Sequence, residues 1–243
     1  MIYKARSGQA SYGEAIGILL LDCFTPFIPG DVANATTYDF PVRFRKVESL
    51  TTRRVLGKDP TAFEPLRVAA EDLAGQGVRA VTGDCGFLAL HQERLAASLD
   101  IPVFLSSLLQ IPFIYSIIGP DRKVGIITAD SEALDASLLL AAGVEPGDRL
   151  VIRGMEDRAA FSEAVLEEAG VLDSAEVERE AVSVGREMVA EEPMVAALLL
   201  ECSCLPPYGR AVQKAVGLPV FDYVTMINYV HSALVKKRFE GEM

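Results

Sequence analysis

Short apolar runs rich in Val, Ile and Leu alternate along the chain with longer segments whose apolar residues recur every three or four positions. Runs of four to six such residues suit strands buried on both faces, and the longer periodicity suits amphipathic helices. Strands are predicted at residues 16–21, 42–47, 78–82, 102–105, 124–128, 150–153, 197–200 and 219–221. Helices are predicted at 60–74, 88–99, 132–141, 159–169, 174–191 and 223–238, the last ending in the cations Lys236, Lys237 and Arg238. The weakly charged stretch 101–120 is interrupted by Pro102 and Pro112, so it reads as strand, turn and buried helix and not as a membrane span. This alternation predicts an α/β protein with parallel sheets covered by helices. The segment 22–41, with Pro26, Pro29, Gly30 and Pro41, lacks periodicity and is expected to be a lid or binding loop.

The pattern also repeats. A shift of 117 lays Val78-Arg-Ala-Val-Thr-Gly-Asp-Cys85 over Val195-Ala-Ala-Leu-Leu-Leu-Glu-Cys202, and Ile101-Pro-Val-Phe104 over Leu218-Pro-Val-Phe221. A shift of 108 lays Ile16-Gly-Ile-Leu-Leu-Leu-Asp22 over Val124-Gly-Ile-Ile-Thr-Ala-Asp130. Two copies of one α/β unit are the expectation.

Composition narrows the partners. The 243 residues include 34 acidic and 23 basic ones, a formal charge of −11, which argues against a nucleic acid or an anionic membrane surface. Four cysteines in a chain of this length do not make a disulfide framework, and no secretory leader is recognised at the start, so a reduced, cytoplasmic compartment is expected. His91 and His231 sit at no familiar ligand spacing from the cysteines, and Cys202-Ser-Cys204 falls short of the four ligands of a closed zinc site, so no metal is expected. Gly75-Gln-Gly77 precedes a strand and reads as a helix stop, not as a nucleotide fingerprint.

The repeat singles out Cys85 and Cys202, each at the carboxyl end of a predicted strand, where α/β sheets bind ligands. Two thiols facing one cleft suit proton transfer at a carbon beside a carboxylate, one removing a proton and the other delivering one to the opposite face. Backbone N–H groups around Gly86–Phe87 and Ser203–Cys204 would meet the developing negative charge. A following helix lowers a thiol's pKa; Asp84 and Glu201 act the other way if they line the cleft. Cys23 is expected to be a small core residue.

The paired cysteines, the repeated half and the starts Ile16-Gly-Ile and Val124-Gly-Ile resemble the aspartate/glutamate racemase superfamily, which includes hydantoin racemases and arylmalonate decarboxylase. The sharpest match is Leu200-Glu-Cys202-Ser-Cys204-Leu-Pro206, and the resemblance spans essentially the whole chain. It implies two pseudosymmetric, flavodoxin-like α/β halves, residues 1–119 and 120–243, with the active site between them. The helix at 222–240 is free to pack back onto the first half. It also implies catalysis without a cofactor and a homodimer or higher homo-oligomer. An ungapped match would put Asp84 at the family's first cysteine, but the internal repeat selects Cys85. Gly86-Phe87 and Ser203-Cys204 replace the Asn-Thr and Thr-His or Thr-Glu pairs of amino-acid racemases, which leaves glutamate or aspartate specificity open.

The resulting expectation is a cofactor-independent racemase or epimerase, an isomerase of an amino acid or related carboxylate. Cys85 and Cys202 are its catalytic pair; Asp22, Thr25, Gly86, Phe87, Thr128, Ser203 and Cys204 bind the substrate. Decarboxylase-like or maleate isomerase-like chemistry on one cysteine is the enzymatic alternative. A non-catalytic small-molecule-binding protein with inert thiols is the other. Asp22 and Asp130 are equally suited to serve as caps.

Overall fold

The computed structural model describes residues 2–145, 147 and 149–243. All eight predicted strands are present within a few residues of their expected ends. β1 (Ile16–Leu20), β2 (Val42–Lys46), β3 (Ala80–Gly83) and β4 (Val103–Phe104) form a parallel sheet in the order β2-β1-β3-β4. β5 (Lys123–Thr128), β6 (Leu150–Gly154), β7 (Val195–Leu200) and β8 (Val220–Phe221) repeat that order as β6-β5-β7-β8. The duplicated α/β architecture read from the two shifts is the architecture observed.

The helices are α1 (Thr52–Leu56), α2 (Phe63–Gly75), α3 (Gln92–Ser98), α4 (Ile111–Ile117), α5 (Ala136–Ala141), α6 (Ala159–Phe161), α7 (Ser174–Glu191), α8 (Gly209–Val216) and α9 (Tyr223–Leu234). Their packing explains the Gly-Ile start of each half. A Cβ on Gly17 of β1 would lie 3.0 Å from Leu73 of α2, and one on Gly125 of β5 would run into Met188 of α7. Each glycine lets its helix lie close on the central strand. The apolar faces of both sheets are thereby removed from water, with Ile16, Ile18, Leu19, Ile126 and Ile127 fully buried.

Several boundaries differ from expectation. The predicted helix 88–99 divides into a 3-10 turn, Gly86–His91, followed by α3. The one at 159–169 is α6 running into a π turn, Ser162–Leu166, and α5 starts only at Ala136, capped by Asp135. α9 opens with a capping box between Asp222 and Thr225 and stops at Leu234, so the basic residues 236–238 lie beyond it. Its Tyr223, Met226 and Ile227 pack with Ile16, Ile18 and Phe104 of the first sheet, and Tyr223 Oη donates to Leu105 O at 2.7 Å. No helix among the described residues is long and apolar enough to cross a membrane.

Candidate active site

In each sheet the chain leaves the central strand in opposite directions, which opens a crevice beyond the carboxyl ends of β1 and β3 in one half and of β5 and β7 in the other. Both crevices contribute to one cavity. The first half supplies Leu21, Cys23, Asp84, Cys85, Gly86 and Phe87; the second supplies Ala129, Glu201, Cys202, Ser203 and Cys204. Thr25 and Phe27, from the aperiodic segment, form another part of the wall. That segment bridges the halves: Phe24 N donates to Glu168 Oε2 at 3.0 Å and Val32 N to Ser203 O at 3.4 Å. The halves are also pinned beside the cavity, with Ser107 Oγ donating to Glu201 O at 3.0 Å and Ser203 Oγ to Asp84 O.

The two acidic residues that precede the cysteines occupy equivalent places. Both carboxyl oxygens of Asp84 accept from Leu21 N, at 3.1 Å each. Glu201 Oε2 accepts from Thr128 Oγ1 at 2.7 Å, and the amide of Ala129 also favours its ionised form. Leu21 and Ala129 are related by the shift of 108, as Asp84 and Glu201 are by that of 117. The longer side chain makes the difference: Glu201 Oε1 is buried without a hydrogen-bond partner. It occupies the space beside Gly86 where any Cβ would collide with it.

Burial dominates the electrostatics. It pushes Asp84 up to about 8 and Glu201 up to about 7, because a charged carboxyl inside the protein loses its hydration. Asp31, on the aperiodic segment and 2% exposed, is pushed up to about 7 for the same reason. It faces Cys204, whose thiol also contacts Cys202, and lines a small adjoining cavity. The Cys85 thiol is raised well above its ordinary range, first by burial and then by the carboxyls of Glu201 and Asp84, against the helping amide of Phe87. Cys23 is pushed up to about 12. Helix-terminus activation is thus outweighed here by burial of the thiols, reinforced by the neighbouring carboxyls. Among the described residues, no Lys, Arg or His lines either cavity.

Seven of the nine residues expected at the site line this cavity: Cys85, Cys202, Thr25, Gly86, Phe87, Ser203 and Cys204. Asp22 does not. Its carboxyl accepts from Lys46 Nζ and Ser49 N, both at 3.1 Å, at the protein surface, where two nearer donors hold it. Thr128 is also corrected: it is fully buried behind Glu201, holding that carboxyl, and does not face the cavity. Asp130 is a cap, accepting from Glu132 N and Ala133 N. Cys23, expected in the core, lines the cavity. Asp31 and the free oxygen of Glu201 escaped notice as site features; the acidic residue beside each repeated cysteine was the available signal. No cluster of His, Cys, Asp or Glu among the described residues is arranged to hold a metal ion.

No protein-family model matches the chain. Solved structures share its fold. It superposes on allantoin racemase from Pseudomonas fluorescens with a TM-score of 0.62 at 17% identity, covering 91% of each chain. For arylmalonate decarboxylase the TM-score is 0.58 at 17% identity, covering 92% and 93%. For an aspartate racemase homologue from Pyrococcus horikoshii it is 0.55 at 16%, covering 90% and 99%. The aspartate/glutamate racemase fold is therefore shown. Sequence relatives name another chemistry. A dimethylsulfoniopropionate lyase from Durusdinium sp. clade D is 31% identical over 222 residues, 88% of this chain and 73% of the relative. Dimethylsulfoniopropionate lyases 5 and 6 of Emiliania huxleyi are 34% and 35% identical over 90% and 91% of this chain, which spans only 45% and 60% of their length. These relatives are lyases, so the isomerase expectation, with its racemase and epimerase activity, is corrected. The error has a chemical source, since removing a proton beside a carboxylate is a step common to racemisation and elimination. With 31% identity to a relative of which it spans nearly three quarters, the chain belongs to the dimethylsulfoniopropionate lyase family.

Proposed function

We propose that this chain catalyses β-elimination from a sulfonium carboxylate of the dimethylsulfoniopropionate type, releasing dimethyl sulfide and acrylate. The observation that carries this reading is the make-up of the cavity wall: thiols, buried carboxyls and aromatic rings, without a cationic side chain among the described residues. A wall without cations offers no partner to a second carboxylate on the substrate, and its carboxyls, held near neutral pH by burial, can ionise against a sulfonium centre beside the rings of Phe27 and Phe87. The substrate's own carboxylate then falls to the amides at Gly86 and at Ser203–Cys204, whose N–H groups open turns and lack intrahelical acceptors.

In this reading a thiolate takes the proton from the carbon next to the carboxylate. The C–H electron pair becomes the carbon–carbon double bond, the carbon–sulfur bond breaks, and its pair leaves on neutral dimethyl sulfide. One thiol suffices, because nothing is delivered to the opposite face. Cys85 is favoured as that base: an unpartnered carboxyl oxygen lies against the adjoining Gly86 in the same cavity, whereas Cys202 is engaged with Cys204. No cofactor or metal enters the step.

The relatives are longer, so the test uses this chain as it stands. Wild type, Cys85→Ser and Cys202→Ser are incubated with dimethylsulfoniopropionate and the headspace is assayed by gas chromatography. Wild type is expected to release dimethyl sulfide, and Cys85→Ser to lose roughly a hundredfold or more in rate. Undiminished release by Cys85→Ser would overturn the assignment of the base. The four free thiols support a reducing, cytoplasmic compartment. The exposed Phe113 and Ile117 on α4 support self-association as a homodimer, and the net charge of −11 supports neither nucleic acid nor anionic membrane as partner. Sedimentation as a monomer at micromolar concentration would remove the dimer.

A further inference from the structure

We propose that Glu201 is the proton acceptor that converts the Cys85 thiol to thiolate, reaching across the boundary between the halves to do so. The inference deepens the elimination reading and rests on it for the identity of the substrate. Its basis is a difference between two side chains that the duplication makes equivalent. Asp84 spends both oxygens on Leu21 N. Glu201, one methylene longer, satisfies Oε2 on Thr128 and leaves Oε1 buried and unpartnered, against Gly86 and lining the same cavity as Cys85. An unsatisfied buried oxygen is destabilising, so a structural role alone gives no reason to retain it. The absent side chain at Gly86 is what gives the oxygen its place.

The step balances within the protein. Glu201 Oε1 accepts the proton of Cys85 Sγ, and the pair becomes thiolate and carboxylic acid. The thiolate takes the substrate's α-proton and returns to thiol as dimethyl sulfide leaves. Glu201 then gives its proton to water, which accounts for the one proton that elimination releases. Burial lifts the Glu201 carboxyl to about 7, within reach of both states near neutral pH, where an ordinary carboxylate would be too weak a base. The titratable groups whose charge bears on this pair are Asp84 from the end of β3, Cys202 from the end of β7 and Tyr223 from α9, all neutral or acidic. A cationic sulfonium centre arriving beside Cys85 favours the form of the pair in which the single negative charge sits on sulfur.

The direct readout is the pH dependence of Cys85 alkylation by iodoacetamide, followed by peptide mass spectrometry, because it needs no substrate. A thiol sharing a proton with a carboxyl titrates as a pair, so wild type is expected to show two rises in rate, the first centred near pH 7. Glu201→Gln is expected to show a single rise, and to lose roughly a hundredfold or more in dimethyl sulfide release. Glu201→Asp, which keeps the charge but shortens the reach, is the second variant and is expected to lose the low-pH rise as well. Thermal melts establish that each variant is folded. If Glu201→Gln retains the two-step profile, or if it speeds dimethyl sulfide release as removal of a spectator charge would, the relay is overturned. If wild type releases no dimethyl sulfide yet shows the two-step profile that Glu201→Gln abolishes, the substrate reading fails and the relay stands.

Discussion

A methyl group at position 86 would occupy the space of Glu201 Oε1, so Gly86→Ala tests geometry without removing any charge. The carboxyl must turn away from Cys85, and turnover is expected to fall at least tenfold. A thermal melt should show a loss of about 1–3 kcal/mol from overpacking. Wild-type turnover in Gly86→Ala would mean that Oε1 has no part in the chemistry. At this scale the cysteines were legible, because the repeat placed Cys85 over Cys202 and both line the cavity. Asp22 was misassigned because an acid after a strand is equally suited to a local cap, and Lys46 and Ser49, close by in space, claim it. The free oxygen of Glu201 was illegible, since which of two carboxyl oxygens finds a donor depends on a single methylene and on Thr128 across the sheet.

Among the elements, the central strands were the easiest to recognise, because burial on both faces turns them into unbroken apolar runs. α8 was missed for the opposite reason. Its eight residues include Arg210, Gln213 and Lys214, and only Val212 and Gly209 are buried. The usable signals were Pro206 and Pro207 before it and Gly217 after it, at a φ of 70° in the left-handed region that ends helices. The tight seating of α2 on β1 yields a prediction of its own. Gly17→Ala brings a methyl to 3.0 Å from Leu73 and 3.2 Å from Val78, both buried. It is expected to cost about 1–3 kcal/mol, read as a lower melting temperature. An unchanged melting temperature would show that α2 shifts freely on its strand.

For the whole molecule, three buried carboxyls make stability depend on pH. Asp31, Asp84 and Glu201 keep their protons in the folded state to about 7, 8 and 7, while in the unfolded chain they release them near pH 4. The folded state therefore binds more protons between these limits, and stability is greatest at the acid end of the window and declines as pH rises through 7 to 8. The melting temperature is expected to be lower at pH 8.5 than at pH 5.5, and Asp84→Asn should flatten the difference. A melting temperature that rises over this interval would show that these carboxyls are ionised in the folded protein.

The duplicated architecture was legible in the chain, whereas the reaction was not, and the reason lies in the substrate. A thiol in a cleft can remove a proton beside a carboxylate whatever follows. Whether the carbanion is reprotonated or expels a neighbour is decided by a leaving group that the protein does not carry. What the protein does carry is a wall of titratable carboxyls and aromatic rings, without a cation among the described residues, suited to a sulfonium centre. Proton NMR of dimethylsulfoniopropionate with the wild-type chain in deuterium oxide tests this most directly. Acrylate and dimethyl sulfide appearing in equal amounts is the predicted result; exchange of the α-protons for deuterium with the carbon–sulfur bond left intact would contradict it.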